Sequence, residues 1–167
     1  MLLVVGGSGR KAGKSSLVEG LIRALPEARW LALKISGHPH GAAEWELSRQ
    51  ETAGPDSDTG RFLAAGAAEA WWLRVAEGRL EEALPAVRRL LARGENAVVE
   101  SNSIVGFLTP DLYLFVAGAE WKPSAGQWLE RADAVVTAGA TDAIVALVAR
   151  HLPRRAGSGG QREEDRQ

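Results

Sequence analysis

Cysteine is absent from the 167 residues, which removes disulfides, thiolate metal sites and a cysteine nucleophile from consideration. An excess of either charge is lacking too. Twenty basic and 21 acidic residues leave a formal net charge of −1, too little to draw the chain to nucleic acid or to an anionic membrane. No apolar run approaches the length of a membrane span. The opening Met1-Leu2-Leu3-Val4-Val5 is too short for the apolar region of a signal peptide and has no basic segment before it, so a cytoplasmic location is the expectation. What is there is ordinary for a folded protein. Hydrophobic residues make up 46% and charged residues 25%, over a length suited to one domain with a two- or three-layer core.

Apolar runs alternate with helical patterns along the chain. Met1 to Val5 reads as a strand ending at glycines. Leu17, Val18, Leu21, Ile22 and Leu25 then recur at helical spacing from Lys14 onward, with Pro26 as the stop. Arg29 to Ile35 reads as a second strand, and Ser36 to Gly41 as the loop after it. The stretch from Ala42 to Ser57 looks irregular and polar, with a turn at Gly54-Pro55-Asp56. A short helix over Asp58 to Ala65 leads into the apolar run Ala70 to Val75. Leu80, Leu84, Val87 and Leu91 share one helical face; Pro85 either starts or kinks that helix, and Gly94 suits its C-terminal cap. Ala97 to Glu100 is an apolar strand ending in a carboxylate. Asp111 to Ala117 and Asp133 to Thr137 are further strands, with a short helix near Ser124 to Arg131 between them. Thr141 caps a last helix that Pro153 stops. Apolar strands separated by helices imply a three-layer α/β domain with a mostly parallel sheet over residues 1–153. Residues 154–167, Gly/Ser-rich and then charged, read as a disordered tail.

The chemistry is concentrated in Gly6-Gly7-Ser8-Gly9-Arg10-Lys11-Ala12-Gly13-Lys14-Ser15. A strand, a glycine-rich turn and Gly-Lys-Ser at a helix start make the arrangement of a P-loop, in which backbone amides and the helix dipole surround a phosphate. Gly9, Arg10, Lys11, Ala12, Gly13, Lys14, Ser15 and Ser16 are the expected nucleotide-binding residues, with the Lys14 ammonium on the outer phosphates and the Ser15 hydroxyl on Mg²⁺. The spacing departs from Gly, four residues, Gly-Lys: Ser8 holds the first glycine register, and Gly7 lies one residue too far away. The segment also satisfies G-x-G-x-x-A, but a dinucleotide site wants an acidic residue closing the second strand, where Lys34 stands. A plain strand-to-helix turn is the remaining reading.

A P-loop protein needs an acid at the end of a neighbouring strand, and Glu100 has that position, as metal-orienting and catalytic residue beside Lys14. Asp58 begins a helix, where capping is the simpler role. Asp111 and Asp133 begin strands and so belong to the far edge, as structural residues. Lys34, His38 and His40, with Asp58, are candidates for a second-ligand pocket on the phosphate edge. No third ligand with zinc spacing joins the histidines. The six tryptophans read mainly as core or interface packing. An Asn-Lys-x-Asp guanine motif is absent, so base contacts are expected from the loops Ala117–Lys122 and Thr137–Thr141, with Lys122 as one candidate.

Four segments in order resemble the molybdopterin-guanine dinucleotide biosynthesis protein B family of P-loop proteins. These are the loop with Gly13-Lys14-Ser15, the stretch from Lys34 to His40, Asp58 to Ala67 with its Ala-Gly-Ala ending, and Ala97-Val98-Val99-Glu100. Ser101 stands where that family has glycine. The resemblance implies an α/β P-loop fold, often dimeric, that binds GTP with Mg²⁺ and assists a molybdenum cofactor enzyme partner. The long loop also resembles that of dethiobiotin synthetase, which implies an ATP-dependent kinase or ligase acting on a small molecule. A non-catalytic module that uses a nucleotide only for stability or dimerisation is the third reading.

Overall fold

A strand whose consecutive residues are all apolar has no solvent face and must be covered on both sides. The computed structural model, which describes residues 1–37 and 44–154, meets that requirement with one sheet between two helical layers. The strands are β1 (Leu2–Gly7), β2 (Leu31–Gly37), β3 (Trp45–Arg49), β4 (Glu69–Val75), β5 (Ala97–Glu100), β6 (Leu112–Val116) and β7 (Ala134–Val136), in the spatial order β3-β4-β2-β5-β1-β6-β7. Every pairing is parallel except that of β3 with β4. The helices are α1 (Lys14–Ala24), α2 (Asp58–Ala65), α3 (Leu80–Leu91), α4 (Ala125–Leu129) and α5 (Asp142–His151).

Alternate residues of each strand feed two cores. Leu3 and Val5 of β1, with Ala32, Val98 and Leu114, pack under Leu17, Val18, Leu21 and Ile22 of α1, Phe62 of α2 and Val148 of α5. Val4, with Leu33, Val99, Tyr113 and Phe115, faces Leu84 and Val87 of α3 and Ala125 of α4. This is the three-layer α/β arrangement with a mostly parallel sheet that the apolar runs imply. Local signals set the helix limits. Ser57 Oγ accepts from the Gly60 amide at 3.0 Å to cap α2, and Gly66 ends it at φ 111°, a conformation that favours glycine. Thr141 caps α5, and extended Leu152 before Pro153 closes it.

Four expectations need correction. Ala42 to Ser57 is not wholly irregular: Trp45 and Leu47 alternate with Glu46 and Ser48, and this period of two builds β3 as the antiparallel edge strand. β2 runs two residues past Ile35 to Gly37, so Ser36 belongs to the sheet. Helix α3 begins at Leu80, so it does not start at Pro85; the proline sits exposed inside the helix. Its last residue is Leu91, with Ala92 as the C-cap, so Gly94 does not close it; Gly94 instead packs closely, since a Cβ there would come 3.2 Å from that of Leu31. The strand-leading acids have the structural roles expected. Asp111 accepts from the Leu2 amide at 2.6 Å and Asp133 from the Tyr113 amide at 2.7 Å. Of the tryptophans, Trp30 is a core residue at 1% exposure, whereas Trp121 is 52% exposed. His38 and His40 lie outside the described residues, as does the tail beyond Arg154. Among the described residues no helix is long and apolar enough to cross a membrane.

Pro85 has no amide to give the Glu81 carbonyl one turn earlier, and nothing in its exposed position compensates. Pro85→Ala is therefore expected to raise unfolding stability by about 2 kcal/mol. Urea denaturation checks it, and an unchanged midpoint would show that the helix has absorbed the missing bond.

Candidate functional site

The carboxyl ends of β2, β5 and β1 lie side by side, and the residues that follow them meet at that edge. β1 ends at Gly7 and α1 begins at Lys14, so Ser8 to Gly13 form the turn between them. Gly13 has φ 101°, in the left-handed region. Gly7 permits a close approach, since a Cβ would come 2.9 Å from Cγ of Lys14 and 3.0 Å from the Val116 carbonyl oxygen. No side chain caps α1 and no acid of its own stands in its first turn, so the start of the helix keeps free amides and the positive end of its dipole. The Lys14 ammonium donates to the Gly9 carbonyl at 2.7 Å, lying back over the loop. Burial pulls its pKa below the usual 10.5, against the attraction of Glu100. Arg10 and Lys11 are exposed on the turn, Ala12 is half-buried, and Ser16 is exposed on the first helical turn.

Behind the loop lies a network of charges. Glu100, 4% exposed, accepts from the Ser15 hydroxyl through Oε2 at 2.8 Å. Through Oε1 it accepts from the Lys34 ammonium at 3.2 Å. Lys34 and Glu100 are register partners on β2 and β5, which fixes both on the face under α1 and α2. Lys34 also donates to Asp58, and Asp58 pairs in turn with Arg61, whose Nε lies 3.4 Å from Glu19 on α1. Burial opposes the Lys34 ammonium, but Glu100 and Asp58 outweigh it and hold its pKa above 10.5. Burial likewise opposes the Asp58 carboxylate, and Lys34 with Arg61 outweighs it, so that pKa stands below 3.8. Lys34, Asp58 and Glu100 thus come together with Lys14 and Ser15. Capping is not the role of Asp58, because Ser57 performs it.

Sequence reasoning missed two parts of the edge. Ser8, in the glycine register, is fully buried. Its amide donates to the Val116 carbonyl at 2.9 Å, its hydroxyl accepts from the Gly118 amide at 2.9 Å, and its carbonyl accepts from the Lys122 amide at 2.8 Å. The residue that interrupts the glycine spacing therefore fastens the loop after β6. Asn102 brackets Gly7, accepting from its amide at 2.6 Å and donating to its carbonyl at 2.8 Å, as a strand partner would. Of the residues expected in a second-ligand pocket, Lys34 and Asp58 do line a cavity, of about 290 Å³, together with Asp56, Arg61 and Trp72, and Lys34 links it to Glu100. Only the carboxylate ending an apolar strand was a usable signal; neither the serine nor the asparagine belongs to a pattern that sequence alone distinguishes. Comparison with protein-family models, curated proteins and solved structures finds no match for this chain.

The depressed Asp58 pKa makes a statement about acid stability. The folded state holds fewer protons than the unfolded chain around pH 3.8, so the contribution is present above that pH and is lost as pH falls through the lower folded value. Asp58→Asn is expected to flatten the fall of the thermal midpoint between about pH 5 and pH 3 relative to the parent chain. Equal slopes would mean that the carboxylate is not held by Lys34 and Arg61.

Proposed function

We propose that this chain is a P-loop protein that binds a nucleoside triphosphate with Mg²⁺ through residues Gly9 to Ser16 and hydrolyses it slowly. The observation that carries the reading is the 2.8 Å bond between the Ser15 hydroxyl, one residue into α1, and the strand-end acid Glu100. A hydroxyl and a carboxylate that meet beside an ammonium and an uncapped helix start are the parts a metal-bound polyphosphate uses. Among the described residues, no three acids or histidines gather as a closed metal cage. Mg²⁺ fits the pair that is present, because it is commonly held by one or two protein oxygens, the rest coming from phosphate and water. Ser15 and Glu100 would hold it, and when bound it would supply charge neutralisation at the phosphates.

Slow turnover follows from what occupies the carboxylates. A general base must reach the proton it removes. Glu100 is engaged by Ser15 and Lys34, and Asp58 by Lys34 and Arg61. With Glu100 given to the metal and Asp58 held between two cations, neither acid would be placed to take the proton, and water attack would rest mainly on positioning and the Lys14 charge. The family resemblance in the four segments favours GTP over ATP and an accessory role beside a molybdenum cofactor enzyme, with the chain as a homodimer. One observation favours the alternative, ATP-dependent transfer to a small molecule. The cavity beside Lys34 and Trp72 is large enough for an acceptor and adjoins the proposed phosphate position. Nucleotide turnover that rises several-fold with an added small-molecule acceptor would select that alternative.

Calorimetric titration with GTP and with ATP, each with Mg²⁺, tests the central reading. Lys14→Ala is expected to weaken triphosphate binding at least about tenfold, the worth of one charged hydrogen bond, with unchanged circular dichroism. A folded mutant with the parent affinity would sink the reading. Glu100→Gln addresses the metal separately: removing Mg²⁺ by chelation is expected to weaken binding in the parent chain and to change little in the mutant. A loss on chelation as large in the mutant would exclude Glu100 from metal binding.

A further inference from the structure

A nucleotide held by its phosphates still presents a flat base, and the structure carries a flat, exposed surface beside the glycine loop. We propose that Trp121 is the platform on which the base of the bound nucleotide stacks, a role that rests on the phosphate reading of the loop. Phe107, Trp121 and Val135 are the exposed large apolar side chains among the described residues, and Trp121 is the most open of the three. Phe107 follows the turn after β5 and Val135 lies on β7, whereas Trp121 stands next to Lys122, whose amide is bonded to Ser8 at 2.8 Å.

The contact between the two loops is close along its length. A Cβ on Gly9 would come 2.8 Å from the Glu120 carbonyl oxygen, and one on Gly118 would come 2.7 Å from Cα of Ala12. Both glycines are therefore required by backbone packing of one loop on the other. Together with the three bonds of Ser8, this fixes Trp121 relative to the phosphate-facing amides before any ligand arrives. The indole itself is backed by Phe115, with ring centroids 5.8 Å apart and planes tilted by 38°. A Trp supported by a core residue, yet 52% exposed, loses apolar contact to water that a planar ligand would restore. Stacking on an aromatic ring tolerates any base, because every base has a π-face. Trp121 accordingly supplies affinity for the base, without itself choosing between guanine and adenine.

The test separates phosphate from base. The probes are the tighter-binding of Mg·GTP and Mg·ATP, and Mg·tripolyphosphate, titrated against the full chain and against Trp121→Ala and Trp121→Phe. Trp121→Ala is expected to weaken the nucleotide by roughly five- to a hundredfold, the usual worth of one stacked base. Tripolyphosphate affinity stays within about twofold of the parent, and Trp121→Phe recovers most of the nucleotide affinity. Full nucleotide affinity in a folded Trp121→Ala chain overturns the platform and leaves the phosphate reading standing. An equal loss for tripolyphosphate also overturns it, since Trp121 would then act only by supporting the loop. If the parent chain binds neither probe, both the platform and the phosphate reading fall.

Discussion

An ammonium can be taken under a helical layer only if anions meet it there, and Lys34 imposes that condition on the whole carboxyl edge of the sheet. Its register on β2 points it beneath α1 and α2, and the two carboxylates that answer it come from different elements, Glu100 from β5 and Asp58 from α2. Asp58 then engages Arg61, and Arg61 reaches Glu19 on α1. The Ser15 hydroxyl closes the circuit from the glycine loop. Two strands and two helices are in this way referred to one cation. Apolar packing below them is non-directional, whereas the ion pairs above it tie particular residues of each element to particular partners.

The same circuit explains the character of the site. Positive charge that could meet an anion is graded from exposed Arg10 and Lys11, through half-buried Lys14, to Lys34, which is already neutralised by its own partners. An anion at the loop therefore meets Lys14 as the one interior cation not committed to a carboxylate within salt-bridge distance, among the described residues. Lys34 serves instead to hold Glu100 and Asp58 in place.

Much of this was legible because it depends on short-range pattern. β1, α1, β5 and the strand-end position of Glu100 follow from apolar runs and from the glycines and prolines that bound them. The Asp58–Ala65 helix was readable too, though not the work of its first residue: whether an acid at a helix start caps it or leaves it depends on what lies across the groove, here Lys34. β3 was hidden because an edge strand is covered on one face only. Its Trp45 and Leu47 are interleaved with Glu46 and Ser48 and pass for a polar loop. Ser8 was misleading in a more instructive way. Against a spacing rule it weakens the loop, yet in three dimensions it binds Val116, Gly118 and Lys122, all more than a hundred residues away. A rule written along the chain has no access to such partners. His38 and His40, the remaining members of the expected pocket, lie outside the described residues.

The order of strands has a consequence for how the molecule is made. β1 is first in the chain and never pairs with β2; β5 stands between them, pairing Ala97 with both Leu2 and Leu31. Both neighbours of β1 come from residues 97–116, whereas β2, β3 and β4 pair with one another within residues 31–75. The glycine loop thus depends for its flanking strands on distant stretches of the chain, β5 on one side and β6 on the other. Long-range parallel pairing of this kind is slow to nucleate. The edge where Ser15 meets Glu100 is consequently a product of long-range pairing, and no fragment that stops short of β5 contains both residues.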